Sequence, residues 1–246
     1  MGIKQSVGRA CLTYRHNQSK FSVFRRQLHI SDKPELVYKK VDLPEDSKHK
    51  LAFVLENVLS PEECQWFIEK TEKKGYKRAL IKLGGGQEVA HEVRNSSRYM
   101  WDSRKVSKKL WSRVKTYVPE VFKGRRALGL NERLRFLRYE PGEYFRIHKD
   151  GIYTRKNMER SYITVQMYLN EGFQGGCTTF FSSDALQKVP VVPKKGSALI
   201  FQHDILHEGS EVMEGLKYAI RTDVMYSAER LTDSPEFSED EVNSQT

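Results

Sequence analysis

The stretch RFLRYEPGEYFRIHKD, residues 135–150, decides the fold. Two runs rich in aromatic and aliphatic residues flank Pro141-Gly142, a pair suited to a tight turn. The second run ends in His148 and Asp150. Two residues apart on an extended chain, these side chains fall on one face and can converge on a single ion. One imidazole and one carboxylate on one face of an octahedral metal ion leave room for a third ligand, which can come from a distant strand, and for open positions beside it. Alone it is weak evidence. With seven His and ten Asp in the chain, composition gives roughly a one-in-four chance of an accidental His-x-Asp.

Working outward, residues beyond 130 form short runs rich in Ile, Val, Tyr, Phe and Thr, broken by Pro141-Gly142, by residues 170–172 and by Lys195-Gly196. That is an all-β pattern. Upstream, residues 59–68 read as a helix start, with Ser60 as N-cap, Pro61 in the first turn and Glu63 completing a capping box. Cys64, Phe67 and Ile68 form its apolar face. A second helix is expected from Arg104 to Val118, where Val106, Leu110, Val114 and Val118 recur every four residues and Pro119 ends it. Residues 82–87 read as a glycine-bearing turn without the Lys-Ser/Thr of a phosphate loop.

Four segments in order, covering about residues 130–226, carry a family resemblance. Residues 135–150 resemble the strand, turn and strand that deliver the first two ligands in prolyl 4-hydroxylase-like Fe(II)/2-oxoglutarate dioxygenases. SYITVQMYLN (161–170) and GGCTTF (175–180) resemble that family's next strand pair. HEGSEVMEGLKYAIRTDVMY (207–226) resembles its last ligand and co-substrate strand. The resemblance implies a mainly β fold with flanking helices, a double-stranded β-helix of the jelly-roll, cupin-like kind. It also implies Fe(II) held by His148, Asp150 and His207, with 2-oxoglutarate as co-substrate, O2 as oxidant and ascorbate as reductant. Because halogenating relatives lack the carboxylate, Asp150 implies hydroxylation.

In the family the basic residue at Lys217 pairs with the distal carboxylate of 2-oxoglutarate. Arg221, four residues on and on the same strand face, competes for that role. Tyr168 matches a phenol that donates to the same carboxylate, and Tyr139 matches another aromatic of the co-substrate pocket. Thr164, Gln166 and Thr179 are further candidates for the cavity wall, with packing as the alternative. His203 is a decoy, since His207 stands at the family's spacing from the downstream basic residue. His91 reads as a solvated side chain.

At 246 residues and 38% hydrophobic, the chain can bury one sizeable core. Four segments are expected: a basic N-terminal tail or presequence (1–31), a helix-rich part of the catalytic domain (32–130), the dioxygenase β-helix core (131–227) and an acidic disordered tail (228–246). Residues 1–31 carry six Lys or Arg and no acid. They resemble a mitochondrial presequence, with a disordered tail or a myristoylated start as alternatives. Cys11, Cys64 and Cys177 give no disulfide framework. An intracellular reducing compartment follows, mitochondrial or cytoplasmic/nuclear. No apolar run reaches membrane-spanning length. The net charge is +10, which suits acidic partners in general, though no nucleic-acid motif accompanies it.

The leading expectation is hydroxylation of a protein or peptide side chain, most plausibly proline. The alternatives are the same chemistry on a small molecule, lipid or nucleic acid, and a non-catalytic binding module with the same fold. Residues 82–98 and 151–160 are expected to hold the substrate information, the latter as a polar segment over the substrate or a plain solvent loop.

Overall fold

The computed structural model describes residues 35–78 and 93–231, with the backbone of two short antiparallel strands, Ile81–Leu83 and Gly86–Glu88. The expectations for residues 1–31, Cys11, His91 and the acidic tail beyond residue 231 lie outside the described residues.

Strand Arg160–Tyr168 shows how patterning builds the core. Ile163, Val165 and Met167 are fully buried on one face, while Thr164, Gln166 and Tyr168 occupy the other. A strand with both faces covered needs a layer on each side. Its neighbours in the large sheet are Ala198–Gln202 and Lys217–Tyr226, and the sheet continues through Arg133–Tyr139 to Ser97–Asp102. On the other edge Ala52–Glu56 and Val37–Lys40 complete it, every pairing antiparallel.

Register decides which side chains share a face. Met167 pairs with Ile220, and Ile220 with Phe136. Helix Pro61–Glu72 packs there, with the Phe67 ring 5.6 Å from that of Phe136. On the opposite face Lys217 pairs with Tyr139, and Arg221 with both Arg135 and Gln166. That inner face meets a second antiparallel sheet of Phe145–His148, His207–Gly209, Thr178–Phe181 and Lys188–Val191. Tyr168, Leu199, Phe201 and Ala219 from the large sheet bury against Phe180 of the small one, with the rings of Phe180 and Phe201 5.2 Å apart. Two facing antiparallel sheets of this kind form the expected double-stranded β-helix.

Helix Pro61–Glu72 begins as its sequence requires, with Ser60 and Glu63 forming a reciprocal capping box. The second helix, Arg104–Val114, starts at Ser103 and tightens into a 3-10 turn, Lys115–Tyr117, before Pro119. Its four repeating apolar residues are all buried. The expectation of a helix-rich 32–130 segment needs correction, because the same residues also supply strands Val37–Lys40, Ala52–Glu56, Ser97–Asp102 and Arg125–Leu130 to the large sheet. The outermost of these, Val37–Lys40, is exposed throughout. An edge strand with two lysines lacks the apolar alternation that betrays a buried one. No helix among the described residues is long and apolar enough to cross a membrane.

One buried ion pair ties the two helices together. Both Glu63 oxygens accept from Arg113 at 2.7 Å, and Lys109 approaches at 3.1 Å. Burial raises the Glu63 carboxyl, but Arg113 overrides this and brings it down to about 2. A carboxyl lowered on folding stabilises above its unfolded value and loses that contribution as pH falls through the folded one. Glu63→Ala should therefore cost about 3 kcal/mol at neutral pH, because the Glu63 half of the capping box is lost and buried Arg113 is left without its carboxylate. In urea melts the gap from the native chain should close as pH falls from 4.5 toward 2; a gap independent of pH would contradict the ion-pair account.

Candidate active site

His148 ends strand Phe145–His148 and His207 opens strand His207–Gly209, and the two are directly paired across the small sheet. Their ring centroids are 4.3 Å apart. Asp150 follows the first strand, its amide donating to the His203 carbonyl at 2.8 Å. The Asp150 oxygens lie 3.7 Å from His148 Nε2 and 3.8 Å from His207 Nε2. One donor atom from each of the three residues falls within 4.8 Å of the others.

Backbone carbonyls set the imidazole orientation. His148 Nδ1 donates to the Arg146 carbonyl at 2.7 Å and His207 Nδ1 to that of Ile205 at 2.9 Å. With Nδ1 carrying the proton, each Nε2 lone pair is free to face an ion, the usual device by which a protein aims a ligating histidine. Burial pushes the His207 imidazole down to about 4, so it is neutral at physiological pH, the form that ligates. Thr164 Oγ1 donates to Asp150 Oδ2 at 2.6 Å and fixes the carboxylate rotamer. Two imidazoles and one carboxylate with a common focus are the donor set that suits Fe(II), so the residues fit the metal the sequence implied.

Lys217 lies on the inner face of the same cavity and is 2% exposed. Its Nζ donates to the Gly176 carbonyl at 2.6 Å and stands 5.1 and 5.7 Å from the ring centroids of Tyr139 and Tyr168. Gly176 has φ +65, and a Cβ there would come within 2.9 Å of Phe173 and 3.2 Å of Lys217 Cδ. The second glycine of Gly175-Gly176 thus permits both the turn and the lysine's approach. Lys217 makes no ion pair with a carboxylate among the described residues. Burial lowers its ammonium to about 8.

Arg221, the rival of Lys217, is engaged elsewhere. Its Nη2 contacts Asp150 Oδ1 at 2.8 Å and Asp223 Oδ1 at 3.4 Å. Burial disfavours the charge of Asp150, but the adjacent Arg221 guanidinium holds its carboxyl well below the ordinary range. Arg135 bonds the other Asp223 oxygen at 2.8 Å, and His203 lies 3.7 Å from Asp223. His203 therefore belongs to this network behind Asp150 and stands outside the three-donor cluster.

Of the two adjacent threonines, Thr178 lines the cavity, and Thr179 takes the packing alternative. Alternation turns Thr178 to the inside, where its hydroxyl meets Tyr168 at 2.8 Å and Gln166 at 2.9 Å, while Thr179 bonds Ser210. The 151–160 segment is largely exposed and internally tied. Arg155 pairs with Glu132 and Glu159, and Thr154 bridges to Arg160, while Ile152, Tyr153 and Met158 remain exposed. Sequence reasoning missed Arg94, Arg135, Phe145 and Glu208, all of which line the cavity. The alternation that puts Arg221 on the inner face would have flagged Arg135 through the strand pairing. No periodic signal marks Arg94.

A family model described as the 2OG-Fe(II) oxygenase superfamily matches residues 134–222. A probable prolyl 4-hydroxylase 7 of Arabidopsis thaliana is 29% identical over 201 residues, covering 68% of this chain and 60% of that relative. This chain thus spans less than two thirds of that relative's length. Among solved structures, the viral collagen prolyl hydroxylase of Paramecium Bursaria Chlorella virus-1, in a 2OG complex, superposes with a TM-score of 0.51 and 22% identity, covering 72% of this chain and 96% of that one. A Trichoplax adhaerens prolyl hydroxylase in complex with a hypoxia inducible factor peptide fragment gives 0.56 and 15%, covering 70% and 82%.

Proposed function

The chain belongs to the 2OG-Fe(II) oxygenase superfamily as a prolyl 4-hydroxylase-like member, and from that membership we propose that it hydroxylates a C–H bond, that of a peptidyl proline. The observation that carries this reading is the convergence of His148, Asp150 and His207 within 4.8 Å in a cavity also lined by the buried Lys217.

In this reading His148, Asp150 and His207 hold Fe(II). The metal with 2-oxoglutarate supplies the oxidising chemistry: O2 is reduced, 2-oxoglutarate leaves as succinate and CO2, and one oxygen atom enters the C–H bond. The chain's own residues position and neutralise. The Arg146 and Ile205 carbonyls keep both Nε2 atoms turned inward, and Thr164 holds the carboxylate. Lys217 receives the distal carboxylate of 2-oxoglutarate, since Arg221 already faces Asp150 and Asp223. Tyr139 and Tyr168 wall that end, and the Tyr168 hydroxyl, held by Thr178, is a second donor for the same carboxylate. The Arabidopsis relative's name and the peptide bound by the Trichoplax neighbour support a proline-containing peptide as substrate.

The test supplies Fe(II), 2-oxoglutarate and ascorbate as reductant to the purified chain and follows succinate release with proline peptides, their alanine counterparts, oligonucleotides and metabolite pools. Proline peptides should raise turnover above the slow uncoupled rate and yield hydroxyproline by mass spectrometry. Stimulation confined to another pool would refute the proline reading.

The lowered Lys217 ammonium adds a pH signature. Burial brings its folded value from 10.5 to about 8, so the charged form is present below pH 8 and lost above it. Affinity for 2-oxoglutarate should be level below pH 8 and fall by about ten-fold per unit above it. Anaerobic calorimetry across pH 6.5–9.5, a range of roughly 1.5 units either side of that value, reads this directly. Lys217→Arg should flatten the profile, and a native profile flat to the alkaline end would contradict the assignment.

A further inference from the structure

Arg94 is a second buried cation in the cavity. It is 8% exposed, its Nε donates to Ser96 Oγ at 2.9 Å, and its Nη2 is buried with no hydrogen-bond partner among the described residues. Its guanidinium lies 4.6 Å over the Phe145 ring, which itself stacks on His148 at 3.6 Å. Arg94 therefore borders the proposed metal position while lining the same cavity.

The cavity's other guanidiniums are matched: Arg135 by Asp223, and Arg221 by Asp150 and Asp223. Arg94 makes no ion pair among the described residues. A buried charge without a counter-ion is costly, and the fork of donors on arginine fits a carboxylate in two-point fashion. The distal carboxylate of 2-oxoglutarate is already placed at Lys217 in the proposed function, which leaves Arg94 free for another anion.

We propose that Arg94 receives a carboxylate of the molecule that is hydroxylated, so that the substrate is acidic close to its reacting carbon. This rests on the oxygenase reading above and narrows its substrate class. The carboxylate can come from an acidic side chain next to the target residue of a peptide or from the free carboxylate of an amino acid. Exposed Arg146 and Lys149, on either side of His148, and the overall charge of +10 favour the approach of such an anion.

The experiment measures binding to the full chain loaded anaerobically with Fe(II) and 2-oxoglutarate. Four decapeptides differ at two places: a central proline or alanine, flanked by glutamate or glutamine. Free L-proline and L-prolinamide form a separate arm that distinguishes the two sources. Glutamate peptides, or free proline in the other arm, should bind at least about ten-fold tighter than their amide counterparts. Arg94→Gln should abolish the difference while the 2-oxoglutarate dissociation constant moves less than about two-fold. Arg94→Lys, which keeps the charge, should retain part of the discrimination.

Equal binding of acid and amide in the native chain, discrimination that survives Arg94→Gln, or no binding of any acidic probe would overturn the proposal. So would an Arg94→Gln variant that loses 2-oxoglutarate affinity, because Arg94 would then serve the co-substrate. A glutamate preference indifferent to proline upholds Arg94 and refutes proline as target. A proline preference indifferent to glutamate does the reverse.

Discussion

His148→Ala and Asp150→Ala are expected to lose Fe(II) binding and, with it, succinate formation. Each removes one of three donors whose atoms lie within 4.8 Å of one another. Loss of a supporting hydrogen-bond partner at a metal site costs about 10–100-fold in affinity, and loss of a ligand should exceed that. The two variants should differ in stability. Asp150→Ala also deprives Arg221 of its 2.8 Å partner and leaves the Thr164 hydroxyl without its acceptor. His148→Ala removes a ring stacked on Phe145 but strands no charge. Thermal melts of the metal-free variants should therefore place Asp150→Ala lower. A His148→Ala chain that still bound iron with native affinity would remove His148 from the donor set.

Lys217→Met should abolish useful 2-oxoglutarate affinity while leaving iron binding near the native level. Its ammonium is the buried charge in the cavity with tyrosine rings at 5.1 and 5.7 Å and a carbonyl as its hydrogen-bond acceptor. Leaving a buried carboxylate unpaired costs about 3–5 kcal/mol, or roughly 10²–10⁴-fold in affinity. The metal-free variant should be no less stable than the native chain, because methionine fills similar volume without a desolvated charge. Arg221→Ala provides the contrast, since it removes the partner of Asp150 and Asp223 and so should weaken iron binding more than co-substrate binding. An Arg221→Ala chain defective in 2-oxoglutarate affinity, beside an unimpaired Lys217→Met, would transfer the carboxylate role to Arg221.

Local spacing carried much of the site, and register carried the rest. The two-residue separation of His148 and Asp150 and the capping box at Ser60 were readable because each is a local backbone rule. His207 needed the surrounding motifs, since nothing local ties it to a strand nearly sixty residues upstream. The partner of Arg221 was not legible. The pairings of Arg221 with Gln166 and of Asp223 with Thr164 bring these groups above Asp150, and they exist only once strands are aligned. A one-residue change of face likewise separates Thr178, inside the cavity, from Thr179. Arg94 was invisible for a related reason: its place beside Phe145 comes from an isolated bridge between distant segments.

Anaerobic calorimetric titration of the full chain with Fe(II), before and after 2-oxoglutarate, tests the central claim most directly. The account predicts one iron per chain, no measurable uptake by Asp150→Ala, and 2-oxoglutarate affinity that rises sharply once iron is bound. Absence of Fe(II) binding by the native chain, or equal binding by Asp150→Ala, would contradict it.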